Sequence, residues 1–319
     1  MILIFANAND PAPNSVIDWL YKWEFPFFRI NEFSKISIES LVISNGQEDL
    51  NYTLLVNNLK IEYCDIVSVW FRQSIDLKFT LNYLDESSIN KNEIKQFFDS
   101  ETASLFLFFI HSLEQKKCIG RFSLQNTNKL IFLEYAKKVG FKIPKTYLFS
   151  RDSFSGELIS NNKLITKSIQ DICILNDANS DTFEINYTEM VRDDDFNLEF
   201  GLSLFQECLI PSEIVRVFYL DKFFCSCLIF SGVEESTQSI DSRLYKFKKF
   251  ININLPLEIE EKIIHFAKNS NLNTGSIDFL IYQDEYYFLE VNPVGQFGFI
   301  SHQHNGLIDL KIAEYLESK

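Results

Sequence analysis

The stretch that most constrains this chain lies near its end: GSIDFLIYQDEYYFLEVNPVG, beginning at Gly275. Two runs rich in β-branched and aromatic residues flank Gln283-Asp284-Glu285, the composition of two strands joined by a turn. A turn centred at Asp284 sets Asp278 opposite Glu290. Side chains alternate along a strand, so Asn292 emerges on the same face as Glu290. Opposed carboxylates repel, and burying them costs more still unless a cation lies between them. Two carboxylates and a neutral amide oxygen are the kind of donor set that holds Mg²⁺ together with phosphate oxygens. The same D…ExN spacing also fits solvent-facing acids on an ordinary two-faced hairpin, and the spacing alone leaves both readings open.

The 319 residues exceed what one hydrophobic core usually organises, which predicts two or three lobes. Residues 1–120 alternate strand-like and helix-like segments, MILIF, a helix at 15–23, FPFFRIN and DIVSVWFR, the pattern of a small α/β lobe. A helix at 93–114 leads out of it, and its lone His111 reads as a surface or interface residue. A central lobe over 121–204 starts with the helix NKLIFLEYAKKVG, stopped by Gly140, and continues through KLITKSI, a strand carrying Lys167. The polar region 171–195 reads as hairpin-rich, with TFEINYTEM as strand and Asp193 to Asp195 as a solvated run. Residues 205–319 hold the rest of LFQECLI, then EIVRVFYL, FFCSCLIF, SIDFLIY and YYFLEVN, with helices at 257–269 and 307–317. That is an antiparallel sheet covered by helices.

Composition excludes more than it identifies. Hydrophobic residues at 46% and 32 phenylalanines argue for a folded protein. The net charge of −14 argues against a nucleic-acid partner, maintains solubility and favours a cationic peptide. Cys64, Cys118, Cys173, Cys208, Cys225 and Cys227 form no CxxC pair and read as buried free thiols. MILIFAN reads as a first core strand before the turn Asn9-Asp10-Pro11, without the marks of a secretion signal. The longest apolar run, Leu105 to Ile110, is far short of the ~20 residues that cross a bilayer. A soluble, reducing, cytoplasmic setting with no membrane partner is expected. No P-loop, dinucleotide or GxSxG motif occurs, and His302 and His304 read as loop histidines without a third ligand.

Asp278, Glu290 and Asn292, followed by Pro293-Val-Gly-Gln-Phe-Gly298, resemble the metal-binding strand pair of the ATP-grasp superfamily. SVWFR at 68–72, NKLIFLEYAKKVGFKIPKT, FQECLI, VRVFYL, LIFSG and DSRLY at 241–245 extend the similarity through most of the chain. Their order and spacing are similar to the graspetide ligases, relatives of the microviridin and plesiocin synthetases, and more narrowly to the maturases of grasp-with-SPASM systems. The resemblance implies an α/β (α+β) ATP-grasp fold with a small N-terminal α/β lobe. ATP would lie between the central and C-terminal lobes, with Mg²⁺ on Asp278, Glu290 and Asn292.

Carried over residue by residue, the resemblance implies that Lys129 and Lys167 approach the nucleotide phosphates. Gln206, Glu207 and the backbone around Leu209 would read the base, and Glu213 would contact the ribose. Arg216 and Arg243 would face the transferred phosphate and the acyl phosphate, with Arg72 on the acceptor side. Compact ammonium groups and planar guanidinium forks suit charge spread over several oxygens. One departure is that residues 168–206 contain only Gly201 where relatives place a glycine-rich loop over the phosphates.

The implied reaction phosphorylates an Asp or Glu side chain of a ribosomal precursor peptide, after which a Ser, Thr or Lys side chain of that peptide displaces phosphate. The product is an ester or amide cross-link. Also implied are a leader segment held by residues 171–195, a radical SAM/SPASM partner protein and a homodimer. A ligase for free amino acids, small peptides or a protein tail stays open. So does a catalytically inactive peptide-binding protein, against which the intact Asp278, Glu290, Asn292, Lys129 and Lys167 speak.

Overall fold

In a computed structural model of the chain, the residues described are 1–45, 50–73, 78–79, 92–124, 128–153, 163–169, 174–176, 183–185, 188–192, 199–210, 213–231, 248–298, 300–301 and 305–318. They divide into two units, residues 1–126 with 307–319, and residues 127–306.

In the first unit the strands are β1 (Ile2–Phe5), β2 (Phe27–Ile30), β3 (Lys35–Ile43), β4 (Leu50–Val56), β5 (Leu59–Glu62), β6 (Ser68–Phe71), β7 (Lys78–Phe79) and β8 (Lys117–Ile119), with helices α1 (Ala12–Lys22) and α2 (Asn92–Glu114). A parallel sheet has the order β2-β1-β6-β8. All four residues of β1 are buried, as a parallel strand covered on both faces requires. The C-terminal helix (Ile308–Glu317) packs on this unit: Trp19 Nε1 donates to Asp309 Oδ2 at 2.9 Å, and Ser68 Oγ donates to the Leu316 carbonyl at 2.7 Å. Sequence boundaries at 120 and 204 group that helix with the C-terminal lobe; its apolar face finds its partners in α1 and β6 instead.

A second sheet in this unit, β5-β4-β3-β7, was not anticipated from the sequence. Its signal was present. Asn57 and Asn58 lie between the alternating runs of β4 and β5, and both adopt positive φ, 49° and 71°. Asn tolerates this conformation, which two-residue hairpin turns of the I′ type require. Tyr52 Oη and Ser112 Oγ lie 2.9 Å apart, which ties this sheet to α2.

The second unit contains β9 (Thr146–Phe149), β10 (Leu164–Lys167), β11 (Ile174–Asn176), β12 (Phe183–Ile185), β13 (Glu189–Met190), β14 (Ser203–Glu207), β15 (Glu213–Leu220), β16 (Phe223–Ser231), β17 (Lys248–Ile253), β18 (Thr274–Tyr282) and β19 (Glu285–Asn292). Its helices are α3 (Lys129–Lys138) and α4 (Leu257–Ser270). An antiparallel sheet β13-β10-β14-β9 and a hairpin β11-β12 precede a five-stranded antiparallel sheet in the order β17-β16-β15-β18-β19. The hairpin falls within the region 171–195 expected to form one. Phenylalanines fasten α3 and α4 to the five-stranded sheet: Phe132 lies 6.1 Å from Phe266, Phe266 5.2 Å from Phe288, and Phe141 5.2 Å from Phe279 between ring centres. One face of the sheet is thereby filled, and Arg216 and Asp278 lie on the other, beside buried apolar residues such as Phe218.

The cysteines correct one expectation. Cys118 and Cys227 are buried and Cys208 and Cys225 partly so, but Cys64 is exposed. It occupies the short turn Tyr63–Asp65, in which Tyr63 takes the inward position. Cys173, His302 and His304 lie outside the described residues. Among the described residues no helix is long and apolar enough to cross a membrane.

Gly275, within the interior strand β18, shows how tightly the sheet is packed. A Cβ there would lie 2.9 Å from Val291 Cγ2 and 3.0 Å from Tyr219 Cε1. Gly275→Ala is expected to destabilise the chain by about 1–3 kcal/mol through overpacking, read as a lower denaturation midpoint at unchanged slope; an unchanged midpoint would contradict this packing.

Candidate functional site

The hairpin β18–β19 brings Asp278 opposite Glu290, as the sequence predicts, though by a different route. The turn is two residues long: Tyr282 pairs with Glu285, and Gln283 and Asp284 both have positive φ, 51° and 61°. Continued regularly, that register would set Asp278 opposite Leu289. Instead it shifts by one between Asp278 and Phe279, so that Phe279 pairs with Phe288 and Asp278 with Glu290. Leu289 is the extra residue of a β-bulge. The bulge lets Phe288 pack into the core while Glu290, two residues on, turns to the face of Asp278. Ser276 pairs with Asn292, which places Asn292 on the same face.

Arg216 extends this row, because β15 pairs with β18 so that Arg216 lies opposite Asp278. Its Nε and Nη2 donate to the two oxygens of Asp278, each at 2.6 Å. The pair is largely shielded, with side-chain exposures of 24% and 16%. Asp278 is the largest influence holding the Arg216 guanidinium charged; burial opposes it and Glu290 adds to it. Glu290 has its own cation: Lys129 Nζ lies 3.3 Å from Glu290 Oε2. The result is a line of four charges, Arg216, Asp278, Glu290 and Lys129, in which two cations flank two carboxylates. Cys227 lies opposite Arg216 on β16. Burial pushes its thiol up to about 12 against the opposing effect of Arg216, which favours the protonated thiol at neutral pH.

Lys129 is placed by the start of α3. Asn128 caps the helix, its Oδ1 accepting from the Leu130 and Ile131 amides at 3.1 and 3.3 Å. Lys129 Nζ also donates to the Ser168 carbonyl at 3.2 Å, just past Lys167 at the end of β10. The Lys129 ammonium therefore lies beside the end of β10, whose last residue is Lys167.

The base-reading assignments fall on and just after β14. Gln206 is fully buried and donates through Nε2 to Thr146 Oγ1 at 2.9 Å, and Thr146 in turn donates to the Pro144 carbonyl at 3.0 Å. Gln206 Oε1 has no hydrogen-bond partner among the described residues. Glu207 closes the strand against Lys145, its amide donating to the Lys145 carbonyl at 2.9 Å. Leu209 is buried, and Glu213, at the start of β15, is exposed opposite Ile281.

Two assignments stand apart from this group. Arg243 lies outside the described residues. Arg72 belongs to the first unit, where it is 5% exposed and its Nε lies 3.1 Å from Asp10 Oδ2. Burial lowers its pKa and Asp10 raises it. Asp10, Asn128 and Thr146 are contributors the sequence reading did not name as site residues. Only Asn128, immediately before an apolar helical pattern, carried a local signal, that of an N-cap. Among the described residues no group of three or more His, Cys, Asp or Glu could hold a metal ion, so an ion here would depend on Asp278, Glu290 and Asn292 together with oxygens from elsewhere.

No protein-family model matches the chain, and no curated protein matches it either. Solved structures do match, over nearly its full length. A Chryseobacterium gregarium RiPP-associated ATP-grasp ligase, in complex with ADP and a leader and core peptide, has a TM-score of 0.73 at 19% identity, covering 99% of this chain and 96% of that one. Macrocyclase MdnC from Microcystis aeruginosa MRC, bound with precursor peptide MdnA, has a TM-score of 0.73 at 22% identity, covering 99% of each chain. Macrocyclase MdnB from the same organism has a TM-score of 0.70 at 21% identity, covering 100% of this chain and 99% of that one. The chain has the fold of these ATP-grasp ligases, as the sequence resemblance implied.

Two stability experiments check the geometry of the row. Arg216→Leu leaves the carboxylates facing each other without the cation paired to Asp278 and is expected to cost about 2–4 kcal/mol; adding Glu290→Gln should recover part of it in a denaturant double-mutant cycle. Additivity of the two changes would mean that the row is not coupled. Asn128→Ala is expected to cost about 1 kcal/mol through the lost cap of α3, measured as a fall in melting temperature.

Proposed function

We propose that this protein is an ATP-dependent carboxylate ligase that cross-links side chains of a ribosomal precursor peptide. The observation that carries the proposal is the row Arg216–Asp278–Glu290–Lys129, two carboxylates in register between two cations, on a fold shared with ligases that bind ADP and precursor peptides. The donor set fits Mg²⁺, since Asp278, Glu290 and Asn292 offer only oxygen, the ligand this hard cation prefers. A nucleotide base fits Gln206, whose buried Oε1 lacks a hydrogen-bond donor among the described residues.

Asp278, Glu290 and Asn292 would hold the ion, which when bound neutralises phosphate charge during phosphoryl transfer. Lys129 and Lys167 supply compact positive charge to the phosphates. Gln206, Glu207 and the backbone at Leu209 orient the base, and Glu213 the ribose. Arg216 and Arg243 clamp the transferred phosphoryl group, whose charge spreads over several oxygens. Arg72 serves the acceptor.

A substrate carboxylate attacks the γ-phosphorus and ADP leaves. A hydroxyl or amine of the same peptide then attacks the acyl carbon and expels phosphate, so each cross-link removes one water from the peptide. A leader segment held away from the reacting residues raises their effective concentration, which tolerates poor contacts at the core. Residues 171–195 are the proposed leader site. A radical SAM/SPASM partner protein, a homodimer and a cytoplasmic location belong to the same proposal.

Incubation with ATP, Mg²⁺ and a candidate precursor peptide, followed by mass measurement, is expected to show loss of one water per bond with matching ADP release. ATP consumption without that loss would sink the cross-linking reading and favour another acceptor. Asp278→Ala and Glu290→Ala are each expected to lower turnover at least ~10²-fold, and near-normal rates would remove the metal assignment.

A further inference from the structure

Both carboxylates assigned to the metal already have a cation of their own. Arg216 takes both oxygens of Asp278 at 2.6 Å, and Lys129 Nζ stands 3.3 Å from Glu290 Oε2. The Lys129 ammonium also donates to the Ser168 carbonyl, and its side chain is only 17% exposed, so it is a shielded counterion and not a surface charge. A divalent ion arriving alone must compete with two short guanidinium hydrogen bonds and an ammonium contact for these carboxylates. It would also weaken the hold of Asp278 on the shielded Arg216 charge, a costly change for such a pair. A polyphosphate alters this balance, because its oxygens can receive both displaced cations while the metal takes over the carboxylates.

We propose that Lys129 and Arg216 form an interlock: they occupy the metal carboxylates until a polyphosphate draws them away, so that divalent-cation binding is conditional on nucleotide. The inference rests on the proposed nucleotide site and adds to it an order of binding. By linkage the coupling is reciprocal, with the metal raising nucleotide affinity by the same factor. Lys129 thus has two opposite effects. It assists the phosphates when they are present, and it competes with the metal when they are not.

The test uses Mn²⁺ as the probe, followed by the electron paramagnetic resonance of the free ion, on the full chain with and without ADP and with Mn²⁺–ADP association in solution measured separately. Wild-type protein is expected to bind Mn²⁺ at least about tenfold more tightly with ADP than without it. Lys129→Met is expected to bind Mn²⁺ without nucleotide about tenfold more tightly than wild type, a gain that a merely structural lysine would not produce. Lys129→Arg, which keeps the charge, should behave as wild type, and Asp278→Asn should lose Mn²⁺ binding in both conditions. If ADP binds but Lys129→Met gains no Mn²⁺ affinity, the interlock is overturned and the nucleotide site stands. If wild type binds no ADP at all, the proposed nucleotide site falls and the interlock with it. Melting curves identify a variant that has lost its fold, and Lys129→Gln then provides the same comparison.

Discussion

Two like charges face each other across a β-ladder at Asp278 and Glu290, and much of the second unit is arranged around that unfavourable pairing. Opposed carboxylates in a half-buried sheet are destabilising unless compensated. Here the compensation comes from different elements on either side: Arg216 from the neighbouring strand β15, and Lys129 from the first turn of α3. Neither cation is local in sequence to the acid it serves. The charged row therefore exists only when the hairpin, β15 and α3 are all in place, and the packing of α3 on β19 is a condition for the chemistry proposed.

That packing is aromatic. Phe132, Phe141, Phe266, Phe279 and Phe288 form a continuous set of ring contacts joining α3, α4 and the sheet. Rings that large leave little freedom of register, since a one-residue slip in a strand would turn a phenylalanine outward and an acid inward. The bulge at Leu289 reconciles the two demands. It allows Phe288 to remain in the core and Glu290, two positions later, to face Asp278.

The first unit obeys a different rule. Its parallel sheet is buried on both faces, and the reversal of strand order falls between β1 and β6, since β1 connects toward β2 and β6 toward β8. Asp10 and Arg72 follow the carboxyl ends of those two strands, the position where open α/β sheets commonly bind ligands. Asp10 and the deeply buried Arg72 pair there through Arg72 Nε.

Local information determined a good part of this protein. Alternation of apolar residues marked the strands around the D…ExN segment, helical spacing and Gly140 marked α3, and ordered motifs such as FQECLI, VRVFYL and the closing D…ExN carried the fold. Those signals depend on periodicity and side-chain type, which a single segment contains in full. The sheet of β3, β4 and β5 could also have been read, from the Asn57-Asn58 turn between alternating runs. What the segments could not contain was how they meet. The two-residue turn and compensating bulge, the fastening of Asp278 by Arg216 and of Glu290 by Lys129, the burial of Gln206 against Thr146 and of Arg72 against Asp10, and the packing of the last helix on the first unit were decided by tertiary structure alone. Each depends on residues far apart in the chain, and the free energy that selects among such pairings, burial of rings on one face and neutralisation of charge on the other, is set only when the elements pack.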